Sequence, residues 1–385
     1  MRIATKLRLS VLLVAACFRS SSSIAQTWSA PEFVTSGTEA VALATNGKGT
    51  SAVLFWETGP GLMATVGING NWTAPVLLTT ATSVGRVIVA PNGDVLAVWS
   101  FETTNSSSPV ETQAAFYSGG KWGKTITITG SGSATASSSI GNVAAIGIDA
   151  ANEATIVWEQ LLGSGSCGLE EVTGNSVSGF GTPQQLNSTC LGSVGLAVNS
   201  SGEALAVQGG ATLEVAPIVG TLRTASGAWG ASFDIATPYY GRQRPYVALG
   251  DNGTAAVTWR ARTFSEYAIY ENGVWTAPAH LPSSSAADST VAVDGSGNAV
   301  AAYSGKVSSR VPGGAFQTPI MLGSGFVTCS QAGTFMVSGN SVATRLPGST
   351  TWNQNGPPAG EVAIGPGQAL VVVNPVVSVE TASVP

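Results

Sequence analysis

Only one histidine, His280, stands among the 385 residues. That excludes a His-based catalytic triad or a multi-His metal site within one chain. Charge is scarce too: Asp, Glu, Lys and Arg make up 10% of the chain, with 16 basic against 21 acidic residues. No basic stripe or polybasic tail exists, which argues against nucleic acid as a partner. Low charge does not imply disorder here, because 44% of the residues are hydrophobic and can form a core. No long amphipathic period of 3.6 residues is present, so long helices are not expected. No apolar run has the length of a transmembrane helix. The turn Asp294–Asn298 (DGSGN) lacks the further carboxylates and terminal Glu of a calcium loop, so turn chemistry explains it. The residues imply neither a metal nor a cofactor.

The N-terminal residues 1–25 have the layout of a signal peptide. Arg2, Lys6 and Arg8 precede a short apolar run, Leu9–Phe18, and Ser23-Ile24-Ala25 offers small residues before Gln26. Secretion or a periplasmic location is the expectation. The alternative is a lipoprotein anchored through Cys17, because Val14-Ala15-Ala16-Cys17 resembles a lipobox. Cleavage after Ala25 leaves Cys167, Cys190 and Cys329. Cys167 and Cys190 flank an expected hairpin with its turn near Asn175, and in an oxidising compartment they either bond or stay free. Cys329 sits in an apolar strand and reads as a small core residue.

What the chain has in abundance is glycine, 48 residues, and one recurring hairpin. RVIVAPNGDVLAVW (Arg86–Trp99) has close copies at Val41–Trp56, Ala144–Trp158, Val194–Val207, Tyr246–Trp259 and Thr290–Tyr303. Two weaker copies are Phe326–Ser338 and Glu361–Val373. Their turns carry Asn, Gly, Ser and Asp, residues that accept positive φ. A second element follows each hairpin: a strand, a Gly-rich turn, then an aromatic with a frequent Pro three residues on. NGNWTAPVLL (Asn69–Leu78) and NGVWTAPAHL (Asn272–Leu281) show it clearly, and STTWNQNGPP (Ser349–Pro358) is a degenerate form.

The unit is therefore four antiparallel strands, A to D, with the length of one propeller blade. The expected fold is all-β, a single β-propeller over residues 26–385. Eight blades are favoured, or seven if one of the last two copies does not form a blade. The last hairpin lacks a D strand, whereas TWSAPEFV (Thr27–Val34) is a D strand with no blade before it. The N-terminal strand can thus complete the last blade and close the ring, which removes two exposed edges.

The repeat pattern resembles that of secreted bacterial β-propellers of the sialidase-like (BNR-like) kind. That resemblance implies fold far more than activity. The Asp-box of true sialidases, Ser-x-Asp-x-Gly-x-x-Trp, is missing; the corresponding turns read Asn-Gly-Asn-Trp or Gly-Gly-Lys-Trp.

Chemistry is expected on the face that carries the B–C and D–A loops, which vary most in the first five blades. Glu57, Glu102 and Glu159 follow the strand-B Trp at similar positions. Tyr239, Tyr240, Arg242, Arg244, Arg260 and Arg262 cluster between blades four and five. Arg holds carboxylate or phosphate in a bidentate fork and Tyr stacks on sugar rings, so one reading is a pocket for an acidic or carbohydrate ligand. The other has these Arg residues pairing with Glu159, Glu266 or carbonyls to pin long loops. The recurring Trp56, Trp99, Trp158 and Trp259 read as inter-blade packing, and His280 as a partly exposed edge residue. The leading expectation is an exported ligand- or partner-binding propeller without catalysis, lectin-like on the face of blades two to five. Its target would be a glycan or a cell-envelope protein, and a monomer is the expected state. The alternatives are a glycoside hydrolase or lyase using Glu102 and Glu159 on that face, and a structural interaction scaffold.

Overall fold

The computed structural model describes residues 29 and 32–383, except 36–38, 58, 60, 81–82, 103–109, 129–143, 162–166, 211–213, 242–243, 324, 339–340, 355, 358–361, 366–367 and 374–376. The signal-like segment and Cys17 therefore lie outside the described residues. All regular structure among the described residues is antiparallel β, in eight sheets that follow one another along the chain. The innermost strands are Glu39–Thr45, Ser83–Val89, Ala145–Ile148, Gly192–Val198, Tyr246–Leu249, Ser289–Val293, Val327–Cys329 and Val362–Gly365, in sheets 1 to 8. Each packs against the innermost strands on both sides, and that of sheet 8 packs against that of sheet 1, so the cycle closes. The architecture is a β-propeller.

Closure uses the chain's beginning. Sheet 8 runs Val362–Gly365, Gln368–Val373, Val377–Ser383 and then Glu32–Thr35 on its outer edge. Glu32 faces Val379 and Phe33 faces Ser378 in that register. Sheet 7 departs from the unit: it has three strands, and its degenerate fourth segment contributes one isolated bridge, Thr344 to Asn353. Proline marks where outer strands can start. Pro75, Pro183, Pro278 and Pro319 each stand just before a short outer strand, where a missing N–H costs no ladder bond.

The core lies between successive sheets. Trp99 is fully buried against Leu54, Leu62 and Val66 of sheet 1, and Trp158 against Leu96 and Val98 of sheet 2. Trp259 packs in the same way on Leu205, Val207 and Ile218 of sheet 4. Removing about 200 Å² of one such ring from water, at ~25 cal/mol per Å², stabilises by about 5 kcal/mol as an upper bound. The second repeated aromatic has a different task. It covers the last or the penultimate residue of strand C: Trp122 on Tyr117 at 5.6 Å, Trp275 on Tyr270 at 5.4 Å, Arg223 under Trp229 and Arg345 under Trp352, both at 5.5 Å. In sheet 1 the covered residue is Gly67, where a Cβ would come within 3.0 Å of the Trp72 ring.

The A–B turns share one geometry. In sheets 2 to 7 the first turn residue (Ala90, Asp149, Asn199, Gly250, Asp294 or Ser330) accepts from the N–H three residues on and donates to the carbonyl four residues on. The fourth turn residue has positive φ, at 94° in Gly93 and 69° in Asn152, which is why Gly or Asn stands there. Neighbouring turns are also tied together. Asn46 Nδ2 donates to Ala90 O, Asn92 N to Asn152 Oδ1, Ser200 N to Asp251 Oδ1 and Gly295 N to Gln331 O.

Candidate functional site

Strand registers gather the sequence-predicted residues at the opposite end from these turns. Glu102 ends strand B of sheet 2 (Val95–Glu102) and faces Val110. Glu159 lies near the end of strand B of sheet 3 (Ala154–Leu161). Tyr239 and Tyr240 belong to the outermost strand of sheet 4 (Phe233–Gly241), opposite Ala216 and Val215. Arg260 closes strand B of sheet 5 (Ala255–Arg260), and Arg262 follows in a tight turn where Ala261 N donates to Phe264 O. Tyr246 faces Thr258 at the start of the inner strand of that sheet, and Arg244 stands two residues before it, ahead of the strand. Arg242 and the side chains of Glu102, Tyr239 and Tyr240 lie outside what the structure describes.

Glu159 is held as a structural acceptor. Its Oε1 accepts from Leu191 N at 2.8 Å and Gln208 Nε2 at 2.8 Å, and its Oε2 from Gly192 N at 2.9 Å. The carboxylate thereby fastens the connector that leads from sheet 3 into sheet 4. The same connector carries Cys190, which is disulfide-bonded to Cys167 at the start of strand C of sheet 3. A carboxylate carrying these bonds has little freedom to act as a general acid or nucleophile.

Two of the acids that one reading of the sequence pairs with the arginines have other partners. Glu266 takes the Trp259 indole N–H at 3.0 Å and lies 3.3 Å from His280 Nε2, while Glu159 is occupied as above. His280 is exposed and stacks on Phe264 with centroids 4.3 Å apart. Among the described residues, no ion pair involves Arg86, Arg244, Arg260 or Arg262. Arg310 does form one, with Glu271 at 2.6 Å between sheets 5 and 6, and it is only 2% exposed.

A residue that the sequence pattern passes over joins this face. Arg86 and Tyr246 both stand four residues before their A–B turns, so they occupy one tier of the inner strands of sheets 2 and 5. At that tier sheets 1, 3 and 4 carry Ala42, Ala145 and Gly195. Arg244 and Asp288 stand two residues earlier, at the next tier towards the loop face. Burial raises the Tyr246 phenol above its ordinary range and Asp288 adds to the rise, whereas the Arg244 and Arg86 guanidiniums oppose it. Arg86 is rooted three sheets away from Tyr246. Arg86, Arg244 and Asp288 are all exposed and Tyr246 is half-buried. Two cations, a phenol and a carboxylate thus stand at the loop-face end of the inner strands of sheets 2, 5 and 6. The signal in the sequence was size: Arg and Tyr where sheets 1, 3 and 4 hold Ala or Gly, with Thr290 and Phe326 at the same position of sheets 6 and 7.

Beneath this tier lies a cavity of about 270 Å³, lined by inner-strand residues of sheets 2 to 7, among them Ile88, Ile148, Ala197, Ala248 and Thr328. Cys329 is part of its wall; its thiol donates to Val293 O at 3.2 Å, and burial pushes it far above the ordinary thiol range. That environment suits an inert thiol and not a nucleophile. No group of three or more His, Cys, Asp and Glu placed to hold a metal exists among the described residues.

A scan against protein-family models finds no match, and a search of curated proteins finds none either. Solved structures are similar in fold. The Dos1 propeller aligns with a TM-score of 0.60 at 9% identity, covering 93% of this chain and 95% of its own. The polysaccharide lyase Uly1 aligns at 0.48 and 10% identity, covering 92% and 99%. YCF48 bound to D1 peptide aligns at 0.46 and 12% identity, covering 94% and 95%. Identities this low speak to the propeller fold and to nothing finer.

Proposed function

We propose that this chain is an exported, non-catalytic binding propeller that takes a carboxylate-bearing carbohydrate on its loop face, centred on the channel mouth. The observation that carries the reading is that Arg86, on the inner strand of sheet 2, and Arg244, just before that of sheet 5, stand exposed towards the loop face, with no ion pair for either guanidinium among the described residues. Uncommitted guanidiniums at a concave mouth favour an anion, and their planar forks match a carboxylate. Arg260, at the end of strand B of sheet 5, adds a further cation on the loop face. Commitment of Glu159 to backbone N–H groups weighs against the glycan-cleaving alternative, which needs a second free acid beside Glu102. The Cys167–Cys190 bond supports an oxidising compartment, in keeping with the signal-like N-terminus.

The test is an array of acidic and neutral glycans, paired with an assay for released sugar. Retention of uronate-bearing glycans without turnover is the expected result. Turnover abolished by Glu102→Gln would replace this reading with the enzymatic one. Absence of binding to any acidic glycan would leave a protein-partner scaffold.

A further inference from the structure

Six Asn-Gly pairs stand in the chain, and five lie among the described residues: Asn46-Gly47, Asn69-Gly70, Asn92-Gly93, Asn252-Gly253 and Asn272-Gly273. The dipeptide is the same, but the fold uses it in two ways. At Asn46, Asn92 and Asn252 it belongs to an A–B turn. There the glycine N–H is occupied: Gly93 N donates to Ala90 O at 2.9 Å, Gly253 N to Gly250 O at 3.0 Å and Gly47 N to Thr45 Oγ1 at 3.1 Å. The asparagine carbonyl is occupied too. Asn92 Oδ1 accepts from Asp94 N at 2.9 Å, Asn252 Oδ1 from Thr254 N at 3.0 Å, and Asn46 Oδ1 from Lys48 N at 2.8 Å. At Asn69 and Asn272 the pair is the whole C–D turn of sheets 1 and 5. Ile68 faces Asn71 and Glu271 faces Val274, so each loop has two residues, both at positive φ: 50° and 83° in sheet 1, 54° and 81° in sheet 5. That is the I′ hairpin geometry, in which the N–H of the second loop residue takes no part in the ladder. Among the described residues neither Gly70 N nor Gly273 N donates a hydrogen bond, and the Asn272 side chain makes none. Both asparagines are exposed, and a Cβ on either glycine would meet nothing within 4 Å. The Asn69 carboxamide lies against Gly49, in the space that a Cβ there would need.

We propose that Asn272 is a site of spontaneous covalent modification, a deamidation to aspartate and isoaspartate, with Asn69 next and the A–B turn asparagines spared. Hydroxide removes the proton of Gly273 N, and that nitrogen attacks Asn272 Cγ. The N–Cγ bond forms, the Cγ–Nδ2 bond breaks, and Nδ2 leaves as ammonia after taking up a proton from water. Water then opens the cyclic imide at either carbonyl, giving aspartate or isoaspartate with no change of oxidation state. Glycine has no Cβ to hinder the approach, and its backbone turns freely in an open loop. In an A–B turn the same attack first requires release of the glycine N–H and of the asparagine carbonyl. The product matters to the fold. Isoaspartate lengthens the main chain by a methylene inside a two-residue loop, directly beside the pairs Glu271–Val274 and Tyr270–Trp275. Trp275 packs on Tyr270 and, at 5.9 Å, on Phe233 of sheet 4. The new carboxylate adjoins Glu271, which holds Arg310 Nη2 and Gly313 N of sheet 6. One event therefore reaches the contacts of sheet 5 with both neighbours.

Because the five sites share one dipeptide, the unfolded chain serves as the control. The folded protein is aged in mildly alkaline buffer and its peptides are mapped by mass spectrometry. Asn272 should convert at least about tenfold faster than Asn92 or Asn252, the ratio expected when two hydrogen bonds must open first. Asn46, buried as well as bonded, should be the slowest. In concentrated urea the five rates should come together. Equal rates at Asn272, Asn92 and Asn252 in the folded protein overturn the proposal. So does a spread of rates that persists in urea, because flanking sequence and not the fold would then be its cause. Asn272→Gly copies the Gly119-Gly120 turn of sheet 2, with φ of 59° and 84°, and so keeps the loop while removing the amide. An isoaspartate-specific methyl-transfer assay on this variant should fall to the level set by Asn69, and a signal equal to that of the wild type contradicts the assignment.

Discussion

The two ends of the ring are built from opposite uses of polar side chains. At the turn end Asn199 and Asp294 spend their polar groups on the fold. Asn199 accepts from Ser201 N and Glu203 N and donates to Gly250 O of the next sheet, while 1% exposed. Asp294 accepts from Ser296 N, Asn298 N and Asn298 Nδ2. At the loop end Arg86, Arg244 and Arg262 are exposed and make no ion pair among the described residues. Substitutions at the turn end should therefore cost stability and spare binding, and those at the mouth should do the reverse.

The largest stability effect is expected between sheets 5 and 6. Glu271→Gln leaves the Arg310 charge buried without its counter-ion and should lower the unfolding free energy by about 3 kcal/mol. Urea unfolding measures it, and a loss under about 1 kcal/mol would mean that the Gly314 carbonyl, 2.8 Å from Arg310 Nε, is partner enough. Asn199→Ala comes next. It orphans two turn N–H groups and the Gly250 carbonyl, and about 2 kcal/mol should be lost with ligand affinity intact.

A smaller effect depends on pH. Glu170 is buried in strand C of sheet 3, and burial alone raises its carboxyl above 4.5. A folded-state value above the unfolded one gives a stabilising contribution that is full below the unfolded value and is lost as pH rises through the folded value. Glu170→Gln should accordingly raise the melting temperature at neutral pH, with the gain vanishing below about pH 4 as the wild-type carboxyl is protonated in both states. A gain that is equal at both pH values would assign the effect to packing.

The fold was legible because a propeller repeats its local rules. Asn199-Ser-Ser-Gly202 and Asp294-Gly-Ser-Gly297 differ in sequence yet satisfy the same turn, and a Trp recurs where sheets meet. Even the weak copy at Ser349–Pro358 announced its reduced role, a single bridge at Asn353. Of the proposed site, the sequence shows only what stands close together along the chain, as with Arg244, Arg260 and the two tyrosines. Arg86 lies 160 positions from Tyr246, and only closure of the ring brings sheets 2 and 5 to one channel. The partners of Glu159 were illegible for the same reason: Leu191, Gly192 and Gln208 lie 32 to 49 residues away. Periodicity reports what every blade shares, whereas a single site is made from the departures.

The central claim is that the mouth binds an acid through two guanidiniums that the fold does not need. Calorimetric titration of galacturonate into the wild type and into Arg86→Ala/Arg244→Ala, with urea unfolding of both, tests it directly. Loss of the two charged pairings should weaken binding about a hundredfold or more, with unfolding free energies within about 0.5 kcal/mol of each other. Wild-type affinity in the double variant, or its failure to fold, would contradict the account.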